Sequence, residues 1–201
     1  YSLEDIDGAC VYTDECGECG GLGPDPGFDC DGNEFGVTDI DGNVYETIQI
    51  GEQLWMAENL KVIHYNDGSE IPNITNNGDW SGLSTGAYGD YDNNPTNSET
   101  YGNLYNWFVV DDSRGVCPDG FHVPSDDEYK ELEIYLGLSE AQANGTTWRG
   151  TNEGSKLAGN SDLWYSGNLE NNSEFGTSGF SAFPAGYRLN FVGLYYNMGS
   201  T

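Results

Sequence analysis

Four of the chain's five cysteines, Cys10, Cys16, Cys19 and Cys30, fall within residues 1–36, a Gly-, Asp- and Pro-rich stretch with neither helical nor strand periodicity. Almost nothing in that stretch can be buried, so it needs covalent staples, and those persist outside the cytosol. Cys16 and Cys19 have the spacing of a zinc or redox pair, but no His lies nearby and no βαβ pattern surrounds them. Two disulfides among the four cysteines are the better reading, with the connectivity open. The stretch is expected to be a stapled arm or linker, which leaves residues 37–201 to bury a real core. The chain opens at Tyr1 without a Met or a basic-plus-apolar leader, as a processed or excised piece would.

Charge narrows the partners. Thirty-four acidic residues against six basic ones give a net charge of −28, which repels phosphate backbones and anionic lipid headgroups. Nucleic acid and membrane surfaces are therefore poor candidates as partners, and no apolar run approaches the roughly 20 residues of a membrane span. An acidic, Asn-, Gly- and Asp-rich surface suits a saline medium or divalent cations, although solubility alone also explains it.

From Val37 the texture becomes β-rich. Turn signals at Asp41-Gly42 and Gly51-Glu52 predict a three-stranded meander, with Val44, Ile48 and Ile50 on one face of its middle strand and Tyr45, Thr47 and Gln49 on the other. Residues 64–100 are dense in Asn, Gly, Asp and Ser, and a loop of that length is either functional or heavily braced. Leu104, Trp107 and Phe108 predict a short buried helix over 101–109. A second helix is predicted over 125–136: Ser125 and Glu128 form a capping box, Asp126 and Asp127 fall in the positively polarised first turn, Tyr129, Leu132 and Leu136 make the apolar stripe, and Gly137 ends it. Ser139 and Gln142 cap one further turn. The remainder to 201 reads as short strands and loops.

No motif for nucleophilic, metalloprotease or phosphate-binding chemistry is present. His64 and His122 are isolated in sequence, so a His-rich metal site cannot be built, and His122, just ahead of the helix, reads as structural. Calcium has two candidate ligand clusters. Asp39, Asp41 and Asn43 are explained by a hairpin turn, whereas Asp29, Asp31, Asn33 and Glu34 have no such duty and are the candidate calcium ligands, although neither cluster fits the EF-hand loop. Among 14 Tyr, 8 Phe and 5 Trp, most are needed for the core. Those in loops, Trp80, Tyr88, Tyr91, Trp164 and Tyr165, are the candidates for a stacking platform that holds sugar rings or a protein partner.

The strings "DIDGNVYETIQIGEQLWMAENLKVIHYNDGSEIPNI", "YGNLYNW", "CPDGFHVPSDDEY", "GSKLAGN" and "GFSAFPAGYR" occur in order over roughly 39–201. Together they resemble the Fibrobacter succinogenes major paralogous domain. That resemblance implies an α+β fold of the C-type-lectin-like kind, with short strands, two short helices and long irregular loops. It also implies an extracellular or cell-surface setting in Bacteroidetes-like bacteria, and it assigns no catalytic residues. "DECGECGG" resembles the connectors that precede such domains. The fold is also similar to that of formylglycine-generating enzymes, whose reactive Cys pair near the C-terminus has no counterpart here. Two departures stand out. The second Cys that relatives carry, at the position of Gly89 or in a terminal strand, is missing, and the closing strands that follow "GxYYNxG" in the family pattern are not present before Thr201.

These readings converge on a non-enzymatic, secreted or cell-surface module that binds glycans or proteins through loops 64–100 and 160–175, with calcium or no cofactor. The rival is a structural subunit of an extracellular filament or sheath. In that version Cys117, left odd by two bridges in the arm, is a free thiol or bonds a neighbour, and the arm donates a strand head to tail to an open sheet edge.

Overall fold

The computed structural model describes residues 36–147 and 149–200. The candidate disulfides of Cys10, Cys16, Cys19 and Cys30 and the candidate calcium ligands Asp29, Asp31, Asn33 and Glu34 lie outside the described residues. Turn formers punctuate this chain so often that no strand exceeds four residues, and the strands described form four separate antiparallel pairs. These are β1 (Val37–Thr38) with β2 (Val44–Tyr45), β3 (Thr47–Ile50) with β4 (Gln53–Met56), β5 (Tyr88–Gly89) with β6 (Leu104–Tyr105), and β7 (Tyr187–Arg188) with β8 (Tyr195–Tyr196). Helices run from four to 11 residues: α1 (Asn77–Ser81), α2 (Pro95–Tyr101), α3 (Trp107–Val110), α4 (Asp126–Leu136), α5 (Glu140–Ala143) and α6 (Glu153–Leu157). The class is α+β. No described helix is long and apolar enough to cross a membrane.

The expected meander is broken in two at Glu46. The β3–β4 turn is the two-residue Gly51-Glu52 turn, with Gly51 at φ +63°, which Gly adopts without strain. The first turn is longer than expected and is organised by a buried carboxylate. Asp39 accepts the amides of Asp41 and Asn43, the Asn43 side-chain amide and the Tyr45 hydroxyl. The break also resets the faces, so Tyr45 is fully buried and Val44 is 55% exposed, while Ile50 is buried further on. The hairpin explanation of Asp39, Asp41 and Asn43 therefore agrees with this geometry.

The 64–100 stretch is braced by side-chain amides and carries two helices that the sequence does not announce. Asn76 caps α1 through the Asp79 amide, and Asn94 caps α2 through the Thr96 amide, with Pro95 in the first turn. α2 buries no residue, so it has no apolar stripe to read. The helix expected over 101–109 is corrected to β6 followed by the single turn α3. Asn103 and Tyr105 spend their side chains on the Lys61 and Val62 carbonyls, which draws 103–105 out straight, and Asn106 then caps α3 at the Val109 amide. Trp107 is 68% exposed rather than buried; Val109 takes the core position. The two expected caps at Ser125 and Ser139 are both present, each with its reciprocal Glu128 or Gln142 contact.

Two clusters make the core. One gathers Val62, Tyr65, Ile71, Val109 and Val116, with Leu60 and Cys117 packed against it. The other gathers Ile50, Leu132 and Leu157, with Trp55 and Phe180 against it. A third junction is polar. Arg188, in the quoted "PAGYR" string, is buried between Trp80 and Tyr195, its guanidinium carbon 4.1 and 4.5 Å from their ring centroids. It donates to the Gly193 and Ile74 carbonyls and to Asn77. Burial lowers the pKa of this guanidinium, with Tyr195 opposing the shift, yet an arginine stays charged throughout the physiological range. Gly89 belongs to this junction, because a Cβ there would lie 2.7 Å from Arg188 Nη1. Arg188 therefore fills the space that a Cys at 89 would need.

Candidate functional site

A cavity of about 400 Å³ opens where the two core clusters meet. One wall is β4 and its extension, with Leu54, Trp55, Met56 and Leu60 and the polar Gln53, Glu58 and Asn59. The other is the loop into α4, with Cys117, Phe121, His122 and Val123, continued by Glu128 and Tyr129 in the first helical turn. Phe180 closes the back. Four aromatic rings line it, those of Trp55, Phe121, Tyr129 and Phe180. Trp55 meets Tyr129 edge-on, centroids 6.2 Å apart, and Phe180 at 5.4 Å. The Trp55 indole N–H is buried without an acceptor, a departure from the usual satisfaction of buried donors.

The walls are held by contacts that cross long stretches of chain. The Gln53 side chain donates to the Glu128 carbonyl, tying β4 to α4, and the Asn66 side chain donates to the Cys117 carbonyl, fixing the loop. Glu128 serves cap and cavity together: its Oε2 accepts from the Ser125 amide and hydroxyl, and its Oε1 lies 2.8 Å from His122 Nε2. The run "CPDGFHVPSDDEY" is thus a helix start that also lines a cavity, with His122 paired to the capping carboxylate.

Ser125, by hydroxyl and then amide, and His122 after it hold the Glu128 carboxyl at about 2, well under its ordinary 4.5. A folded-state value below the unfolded one contributes stability in full above pH 4.5 and loses it as pH falls from there towards 2. A ¹³C titration of the Glu128 carboxyl should therefore show its midpoint near 2, and Ser125→Ala should move that midpoint upward. A midpoint left at 4.5 in the folded protein contradicts this cap geometry.

Burial pushes the Cys117 thiol up, which keeps it protonated and a poor nucleophile. The Glu128 carboxylate is already engaged. Cys117 is the one cysteine among the described residues and has no partner there. No group of three or more His, Cys, Asp or Glu suited to a metal occurs among the described residues. His64 likewise pairs with a carboxylate, its Nδ1 2.5 Å from Asp41 Oδ1.

None of the five aromatics expected to bind ligand lines this cavity. Trp80 is 4% exposed and packs against the Arg188 guanidinium. Tyr91 packs on Tyr195 at 5.3 Å and joins the same stack. Tyr88 is half-buried beside Tyr105, and Trp164 is half-buried with its indole N–H on the Gly159 carbonyl. Tyr165 alone is widely exposed, at 72%. The cavity residues that sequence reasoning missed carried a signal nonetheless: all of them fall in three of the quoted strings, the first, the "CPDGFHVPSDDEY" run and "GFSAFPAGYR".

The fold and this site define a small α+β domain built around an aromatic-lined cavity between two core clusters. Residues 48–199 match the Fibrobacter succinogenes major domain, and the chain belongs to that family. No curated protein and no solved structure matches it significantly.

Proposed function

We propose that this domain is a non-enzymatic, secreted or cell-surface binding module that holds a glycan or protein partner, with the cavity beside Trp55 as its binding site. The observation that carries the reading is the cavity itself: its volume of about 400 Å³ falls in the range of ligand pockets, and aromatic walls with a few polar groups suit recognition. The buried thiol and the engaged Glu128 carboxylate support binding over catalysis. Short strands, short helices and long braced loops support the C-type-lectin-like architecture that the family resemblance implies. Calcium, if used, is proposed for Asp29, Asp31, Asn33 and Glu34, outside the cavity. The structural-subunit reading remains the rival.

The full chain applied to an array of glycans and proteins at millimolar calcium separates the two. A binding module is retained on a subset of spots. A structural subunit ignores them all and instead sediments as assemblies whose size grows with concentration.

A further inference from the structure

Resting on the binding-module reading, we infer that the group the cavity takes is an alkylammonium, supplied by a lysine side chain of a basic protein partner. Three observations converge. First, Trp55, Tyr129 and Phe180 surround the space with aromatic rings, and ring faces attract desolvated cations. Second, the charge at the site is negative. Glu58 and Glu128 line the cavity and no Lys or Arg does. Five of the chain's six basic side chains are already paired with carboxylates and the sixth, Arg188, is buried. A chain of charge −28 therefore presents little to attract an anion.

Third, apart from the Trp55 indole N–H, the hydrogen-bonding groups a hydroxyl-rich ligand would need are largely spent. The Gln53 amide is on the Glu128 carbonyl, the Asn59 amide is on the Tyr101 carbonyl, and Glu128 is on Ser125 and His122. A lysine asks for less. Its methylene stem needs only the apolar wall of Leu54, Met56 and Leu60, and its ammonium needs ring faces and a share of the Glu58 carboxylate, whose two oxygens already accept from Lys61 Nζ and the Glu46 amide but keep further lone pairs.

The test is an NMR titration of the full chain, reading the Trp55 indole N–H, assigned by its loss in Trp55→Phe. The probes are two matched pairs: Nα-acetyl-lysine methylamide against its Nε-acetylated form, and glucosamine against N-acetylglucosamine. The charged lysine probe should shift the resonance and bind about tenfold tighter than its acetylated form. Glu58→Gln and about 0.5 M salt should each weaken it at least about threefold. Tyr165→Ala, on a residue outside the cavity, should leave the affinity unchanged. Equal affinity for both lysine forms overturns the cation inference while sparing the binding-module reading. No shift with either form overturns it as well. A shift with glucosamine and none with lysine overturns the protein partner and makes the source a sugar.

Discussion

Arg188→Met should cost about 3–5 kcal/mol of folding stability, because it leaves one buried and two partly buried acceptors unpaired and removes a cation held between two rings. The Gly193 and Ile74 carbonyls and the Asn77 side chain lose their donor, and Trp80 and Tyr195 lose the plane packed between them. For a domain of this size the midpoint of thermal unfolding should fall by roughly 10 °C. Arg188→Lys should recover less than half of the loss, since a single ammonium reproduces neither the fork of donors nor the flat stack. Urea unfolding is the measurement. A lowered midpoint with an unchanged slope is expected, and a variant as stable as the parent would show that the junction is dispensable.

The second large effect belongs to Asp39. Its carboxylate gathers four donors, one of them the hydroxyl of Tyr45, whose side chain is fully buried. Asp39→Ala should cost about 3 kcal/mol, most of it from polar groups left inside without partners. Asp39→Asn, which keeps the volume and one acceptor oxygen, should recover part of that. The Tyr45 hydroxyl also accepts from the Lys61 amide, so loss of Asp39 should loosen the chain near Lys61, 22 residues away in sequence. Faster hydrogen exchange at the Lys61 amide checks this. Exchange confined to 39–45 would place the effect in the turn alone.

These two residues show what a sequence of this kind discloses. The Asp39–Asn43 turn was legible because its parts are neighbours, and α4 was legible for the same reason: cap, first-turn acids, stripe and terminating Gly all lie within 13 residues. Arg188 was not, because its partners Ile74 and Asn77 are more than 110 residues away. The cavity was illegible in the same sense. Trp55, Tyr129 and Phe180 come from a strand, a helix and a loop, and nothing local tells a Trp that walls a cavity from one that fills a core. The loop aromatics Trp80 and Tyr91 belong to the Arg188 junction, whose long-range contacts no local pattern records.

Helices α1 and α2 were missed for a different reason. Each begins on an Asn whose side chain caps it, in a region so rich in Asn that no single one stands out, and α2 has no buried face to betray a period. The false helix over 101–109 came from the opposite error, an apolar spacing that suits a helix but is used by a strand and one turn. Trp107 and Phe108 are left exposed as a result. Side-chain to backbone hydrogen bonds, a long-range one from Asn103 to the Lys61 carbonyl and a local one at the Asn106 cap, outweighed the apolar period.

The central claim is that binding occurs at the cavity and not on the loop aromatics. It is tested most directly by returning to the array of glycans and proteins with two variants of the full chain, Trp55→Leu and Tyr165→Ala. Trp55→Leu should erase the retained spots while the chain still unfolds cooperatively, and Tyr165→Ala should leave them in place. The reverse outcome, with binding lost on Tyr165→Ala and kept on Trp55→Leu, would contradict the account.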